Sequence, residues 1–261
     1  SSPAPVCTTA KEYITALEFM RARSDLALLD KDAQKVATEV SAGCTDAAKR
    51  FIKVTSLLTH SGLTGRDAIS NGLEFAQKSN AETDTFITVF KQAFVEEGLD
   101  LDLSASLKMA RALSSEFEGN LDPVRKDFER LVKFCVNTKN LNLPKPQCGA
   151  FATRLTRYGQ IWGGGMNGGI AKPFNEAFEF LRSSKGPALT TGQALELAEQ
   201  IISKGPGSVE NFTQGYRYGV SAKGLALDSK SAIAFATKMA SSAASSAATA
   251  TDSTGAAKKR N

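Results

Sequence analysis

The sequence predicts an all-α protein, a right-handed α-solenoid of about six helical hairpins, with a compact multi-helix bundle as the structural alternative. Three observations carry this. An aromatic–turn–alanine pattern recurs along the 261 residues. No sustained alternation of apolar and polar residues announces a sheet. Two cysteine pairs are centred on turns of that same pattern, Cys7 and Cys44 near residue 25 and Cys135 and Cys148 near residue 141.

The pattern is an aromatic residue, a turn residue twelve positions on, Leu or Pro next, Leu two positions later, and Ala twelve after the turn. The first unit has Tyr13, Asp25, Leu26, Leu28 and Ala37. The second is less regular, with Phe51, Gly62, Leu63 and Ala76. The third has Phe86, Gly98, Leu99, Leu101 and Ala110, and the fourth Phe128, Asn140, Leu141, Leu143 and Ala152. The fifth has Phe174, Gly186, Pro187, Leu189 and Ala198, and the last Phe212, Gly224, Leu225, Leu227 and Ala236. Successive alanines lie 39, 34, 42, 46 and 38 residues apart, the length of a helical hairpin in a repeat array.

Each unit reads as a helix, a short turn and a second helix. Phe86, Phe90 and Phe94 lie four apart and make one apolar stripe, and Phe174, Phe178 and Leu181 make another. Gly98, Gly186 and Gly224 suit the left-handed conformation that ends a helix. Thr191 and Asp228 suit the start of a second helix, and Asp122-Pro123 joins a cap to a first-turn proline. The alanine that closes the pattern leaves room for helices to approach.

Two cysteines at matching distances on the arms of a hairpin can face each other, so the repeat favours disulfides Cys7–Cys44 and Cys135–Cys148. Four cysteines without a CxxC, and one histidine, His60, give no basis for a zinc site. Paired cysteines imply an oxidising compartment, secreted or periplasmic. The start at Ser1, with Ser-Ser-Pro-Ala-Pro ahead of Val6, reads as a mature end left by a removed signal peptide. No run of 18 or more apolar residues occurs, so no membrane-spanning helix is expected.

By domain, residues 1–162 hold repeats one to four and 170–240 repeats five and six. Between them lies a glycine-rich connector, 163–169. Its Gly-Gly-Gly-Met-Asn-Gly fits the GxGxxG spacing, but helix rather than strand precedes it, so no dinucleotide site is expected. Residues 241–261, rich in Ala and Ser and ending Lys-Lys-Arg-Asn, read as a mobile basic tail whose start could extend the last helix.

Charge is uneven. Residues 81–119 carry three basic and eight acidic side chains, and residues 121–160 eight basic and three acidic. The basic segment lacks the interleaved aromatics of single-strand nucleic-acid binding, and no nucleic-acid partner is expected. His60 is expected in a solvated turn, and no HExxH, GxSxG or Walker loop is present. No cofactor is implied. The candidate binding residues are Tyr158, Trp162 and Met166 around the connector, and Tyr216 and Tyr218, one of which must face outward because they lie two apart on a helix.

These observations lead to the expectation of an exported, non-enzymatic helical-repeat protein that acts as a scaffold for a protein or peptide partner. Two alternatives stand beside it. One is a self-assembling structural subunit of an extracellular or envelope layer. The other is a carboxylate-based hydrolase, since a distant carboxylate pair needs no sequence motif.

Overall fold

The computed structural model describes residue 7 and residues 9–116, 121–162 and 169–253, with side chains through 241 except at residue 160. Among the described residues it is all-helical: α1 (Thr9–Arg21), α2 (Asp30–Ser41), α3 (Ala47–His60), α4 (Gly65–Ala76), α5 (Asn80–Phe94), α6 (Leu103–Glu116), α7 (Asp122–Val136), α8 (Lys145–Arg157), α9 (Ala171–Arg182), α10 (Thr191–Ile202), α11 (Ser208–Val220) and α12 (Ser229–Ser253). Odd-numbered helices begin the six repeats and even-numbered ones close them. Hairpin neighbours such as α3 with α4, α5 with α6 and α11 with α12 pack closely.

The repeat positions make the core. Phe51, Phe86, Phe128, Phe174 and Phe212 are at most 1% exposed, and all six closing alanines, from Ala37 to Ala236, are fully buried. Each ring removed from water stabilises by roughly 1.5–3 kcal/mol. The alanines set how near the helices come: the backbone of Ala236 lies 3.2 Å from where a Cβ on Gly215 would stand.

The turns repeat as closely as the core. At residues 98, 140 and 224 the same four N–H bonds recur. From Gly98, for example, the Gly98 N–H donates to Val95 O, Leu99 to Gln92 O, Asp100 to Val95 O and Leu101 to Ala93 O. The turn at Gly186 keeps the first and last of these, while Pro187 has no N–H to give. The glycines expected to be left-handed are not. That conformation falls two residues later, at Ala27, Asp100, Asn142, Ala188 and Ala226, with φ between 46° and 54°. Gly98, Gly186 and Gly224 are instead required by close approach. A Cβ there would press into the carbonyl oxygens of Gln92, Phe180 and Tyr218. After each turn a capping residue starts the second helix. Asp102 accepts from the Ala105 N–H at 2.7 Å and Asp228 from the Ser231 N–H at 2.9 Å. Thr190, one residue before the expected Thr191, forms a capping box with Gln193.

Both expected disulfides form. Cys7–Cys44 closes the open end of the first hairpin with Cα atoms 4.6 Å apart. Cys135–Cys148 ties α7 to α8 near their turn, with Cα atoms 5.5 Å apart.

The chain divides into two compact units, Ser1–Arg125 and Lys126–Asn261, at a point within α7. The glycine-rich connector expected at residues 163–169 falls within the range of the second unit. Residues 163–168 lie outside the described residues, but bonds from either side of them hold repeats four and five together. The Trp162 indole N–H donates to Ile202 O at 2.9 Å. The Ile170 and Ala171 N–H groups donate to Asp127 at 2.9 and 3.1 Å. At the far end α12 runs past residue 240 to Ser253, so the start of the expected tail is helical, and residues 254–261 are outside the described residues.

Asp127 belongs to a set that sequence reasoning missed. The residue just before the repeat aromatic is buried and charged in three units: Glu12, Arg50 and Asp127. Glu12 accepts from the N–H groups of Asp46 and Ala48 at the start of α3. Asp127 does the same at the start of α9. Both carboxylates occupy the partially positive N-terminal end of the first helix of another repeat. Arg50 works at the opposite pole. Its guanidinium donates to Phe75 O and Ala76 O at the end of α4, to Gly43 O and Thr45 O, and to Asn80 Oδ1. Burial pushes Arg50 below its ordinary pKa, with Asp46, Glu12 and Glu82 pulling it back up. The signal was present in the sequence as a charge on an apolar stripe. Asp127 shares its face with Leu131 and Cys135, and Arg50 shares its face with Val54 and Leu58.

Candidate functional site

A groove runs between first helices of successive repeats, and it recurs at one register in both units. Between α3 and α5 it is lined by Lys53, Ser56, Leu57 and His60 on one side and Asp84, Ile87 and Lys91 on the other, enclosing about 430 Å³. Between α7 and α9 the corresponding positions are Arg130, Lys133, Phe134 and Asn137, facing Lys172, Asn175 and Glu179, around about 570 Å³. Between α9 and α11 they include Glu176 and Phe180, facing Glu210, Thr213 and Arg217, around about 620 Å³. The floor residue stands six positions after the repeat aromatic, as Leu57, Phe134 or Phe180. The facing positions are two before, one after and five after the next aromatic.

The floor is also what joins the repeats. Phe19, at the same position in the first unit, meets Phe51 edge-on at 6.0 Å. Phe134 meets Phe174 and Phe178 at 6.3 and 5.8 Å. Phe180 meets Phe212 and Tyr216 at 6.5 and 5.8 Å. Such edge-to-face pairs add about 0.5–1.5 kcal/mol each beyond burial. One helix position therefore serves packing below and leaves a partly open apolar strip above. Its rims are polar and of mixed sign. Lys53 pairs with Asp84 at 3.1 Å, and Lys133 with Glu129 at 2.6 Å. The Arg217 guanidinium lies over the Phe180 ring, 5.4 Å from its centroid. Asn175 Oδ1, in the α7–α9 groove, is buried with no hydrogen-bond partner.

The sequence candidates separate. Trp162 is half-buried, fixed by its bond to Ile202 O, and lines the α9–α11 groove. Tyr158 is half-buried in a 3₁₀ turn, Tyr158–Gln160, that follows α8. Met166 lies outside the described residues. Tyr216 is a core residue, 4% exposed, with its hydroxyl 3.1 Å from Ser229 Oγ. Tyr218 is 55% exposed and lines a separate hollow with Phe235 and Met239 between α11 and α12. The two tyrosines thus face opposite ways, as their spacing requires. Cys7, Cys44, Cys135 and Cys148 are all spent in disulfides.

His60 ends α3 rather than sitting in a turn. It is exposed, lines the α3–α5 groove, and its Nδ1 is 2.7 Å from Ser56 O. Burial holds the Asp127 carboxyl above the ordinary aspartate range, against the pull of the Ile170 and Ala171 N–H groups. It caps a helix rather than facing a groove, so its shift reflects packing. No group of three or more His, Cys, Asp or Glu among the described residues is placed to hold a metal ion.

The chain matches no protein-family model, no curated protein and no solved structure. Two disulfides are compatible with an oxidising or extracellular setting. No helix among the described residues is long and apolar enough to cross a membrane.

Proposed function

We propose that this chain is an exported, non-enzymatic helical-repeat scaffold whose ligand is a peptide or protein segment lying in the grooves between first helices. The single observation that carries this is the recurrence of one groove, with an apolar floor and mixed-charge rims, at the same repeat register on both units. The grooves are open and shallow, which suits a chain segment better than an enclosed small molecule. Trp162 and Phe180 supply large anchoring surface at small entropic cost, and Arg217, held over Phe180, supplies a positioned cation. Two disulfides suit a protein that works outside a reducing cytoplasm.

Selection of random displayed peptides on the folded protein tests it. Selected peptides should change the fluorescence of Trp162, the single tryptophan. Arg217→Glu or Lys133→Glu should weaken them about tenfold or more, the usual loss when a well-placed contact of about 1.4 kcal/mol goes. Peptides that bind both variants as well as the wild type would remove the grooves from consideration.

A further inference from the structure

The position that joins one repeat to the next is left open at both ends of the described array. Six residues after the repeat aromatic, Phe19 receives the Phe51 ring, and Phe134 and Phe180 each receive two rings of the following first helix. Tyr218 occupies that position in the last repeat. Among the described residues no first helix follows it, and it is 55% exposed. The hollow around it is built like the wall it repeats. Asn211, Gln214 and Tyr218 stand where Pro173, Glu176 and Phe180 line the α9–α11 groove. Phe235 closes the hollow from α12.

The first repeat shows the complement. In the third, fifth and sixth repeats the residue after the repeat aromatic faces the preceding repeat, as Ile87 faces Leu57, Asn175 faces Phe134 and Thr213 faces Phe180. In the first repeat this residue is Ile14, and it is 53% exposed. Tyr13 is only half-buried, whereas the five other repeat aromatics are at most 1% exposed, and among the described residues no ring from a preceding repeat packs on it. Residues 208–241 carry four basic and two acidic side chains, while residues 9–41, with five basic and six acidic of which Glu12 is buried, are close to neutral.

We propose that the last hairpin of one copy receives the first hairpin of a second copy. Tyr218 would take the place of Phe180, and Tyr13 and Ile14 of the second copy would take the places of Phe212 and Thr213. The contact is head-to-tail, so each copy keeps one donor end and one acceptor end, and association does not stop at two. This surface meets the α9–α11 groove at Gln214 but does not depend on a peptide bound there.

Sedimentation velocity of the full chain over rising concentration tests it. The wild type should pass beyond twice the 27.7 kDa monomer mass. Tyr218→Lys alone and Ile14→Lys alone should each remain monomeric, with melting temperatures like the wild type. Mixed together, the two variants should form a dimer and go no further, because one sound acceptor meets one sound donor. If a lysine variant melts early, Tyr218→Ser and Ile14→Thr replace it in the same design. A wild type that stays monomeric overturns the proposal. So does one that stops at a dimer unaffected by Ile14→Lys, which indicates a symmetric end contact, or a mixture that stays monomeric.

Discussion

The two compact units join their repeats by different means. In the first, the residue before the repeat aromatic is a buried charge twice, Glu12 and Arg50, and the position six after the aromatic runs Phe19, Leu57, Gln92. In the second, one buried charge, Asp127, is followed by Pro173 and Asn211, while the later position is aromatic throughout: Phe134, Phe180, Tyr218. Polar stitching to helix ends and edge-to-face ring contact are alternative ways to fix the same neighbour. The first demands particular bond directions, because a buried charge without its partners costs several kcal/mol. The second is non-directional and leaves an apolar surface that a ligand or a further hairpin can share. The second unit accordingly holds two of the three grooves described and the open acceptor end.

The largest effect should come from what the units have in common. Phe86→Ala in the first and Phe174→Ala in the second should each cost about 3–5 kcal/mol in urea unfolding. Both rings are fully buried at equivalent sites. A difference of more than about 2 kcal/mol between them, beyond the normal spread for one substitution type, would show that the units share a pattern but not a core.

Next come the cross-links, where the units should differ. Replacing Cys7 and Cys44 by Ser opens a loop with a sequence separation of 37, and replacing Cys135 and Cys148 one of 13. Loop-closure entropy gives losses of about 4 and about 3 kcal/mol, so the first unit should suffer more. Equal losses, or a larger one from the shorter loop, would mean that the unfolded-state constraint is not what these bonds supply.

The smallest effect should separate charge from hydrogen bond at Asp127. Its folded-state pKa is raised by burial, so the folded protein holds that proton to higher pH than the unfolded chain does. Stability from this group is therefore fullest below the unfolded-state value and declines as pH rises through the folded one. Asp127→Asn ends the titration and keeps one acceptor oxygen. It should cost about 1 kcal/mol near pH 4, and the deficit should shrink toward pH 7. A deficit that grows with pH would show that the Ile170 and Ala171 N–H groups outweigh burial. Asp127→Ala, which orphans both donors, should be worse at every pH.

The sequence by itself determined the helical class, the number of hairpins, the buried aromatic and alanine positions and the pairing of all four cysteines. These follow from period and spacing, which are properties of a local chain: a residue every three or four positions faces one way whatever lies opposite. Sequence also required Tyr216 and Tyr218 to diverge. Tertiary structure alone decided the rest. It placed the left-handed residue two positions beyond the expected glycines, because those glycines answer to a carbonyl from the preceding helix rather than to their own φ. It bound residues on both sides of the glycine-rich connector to distant partners, since Asp127 and Trp162 bond to residues 43 and 40 positions away. It also turned the residue six after the aromatic, at Phe134 and Phe180, into both a joint and a groove floor. Which side of a helix meets a neighbour, and which side stays open, depends on contacts between segments far apart in the chain, and no local period records that.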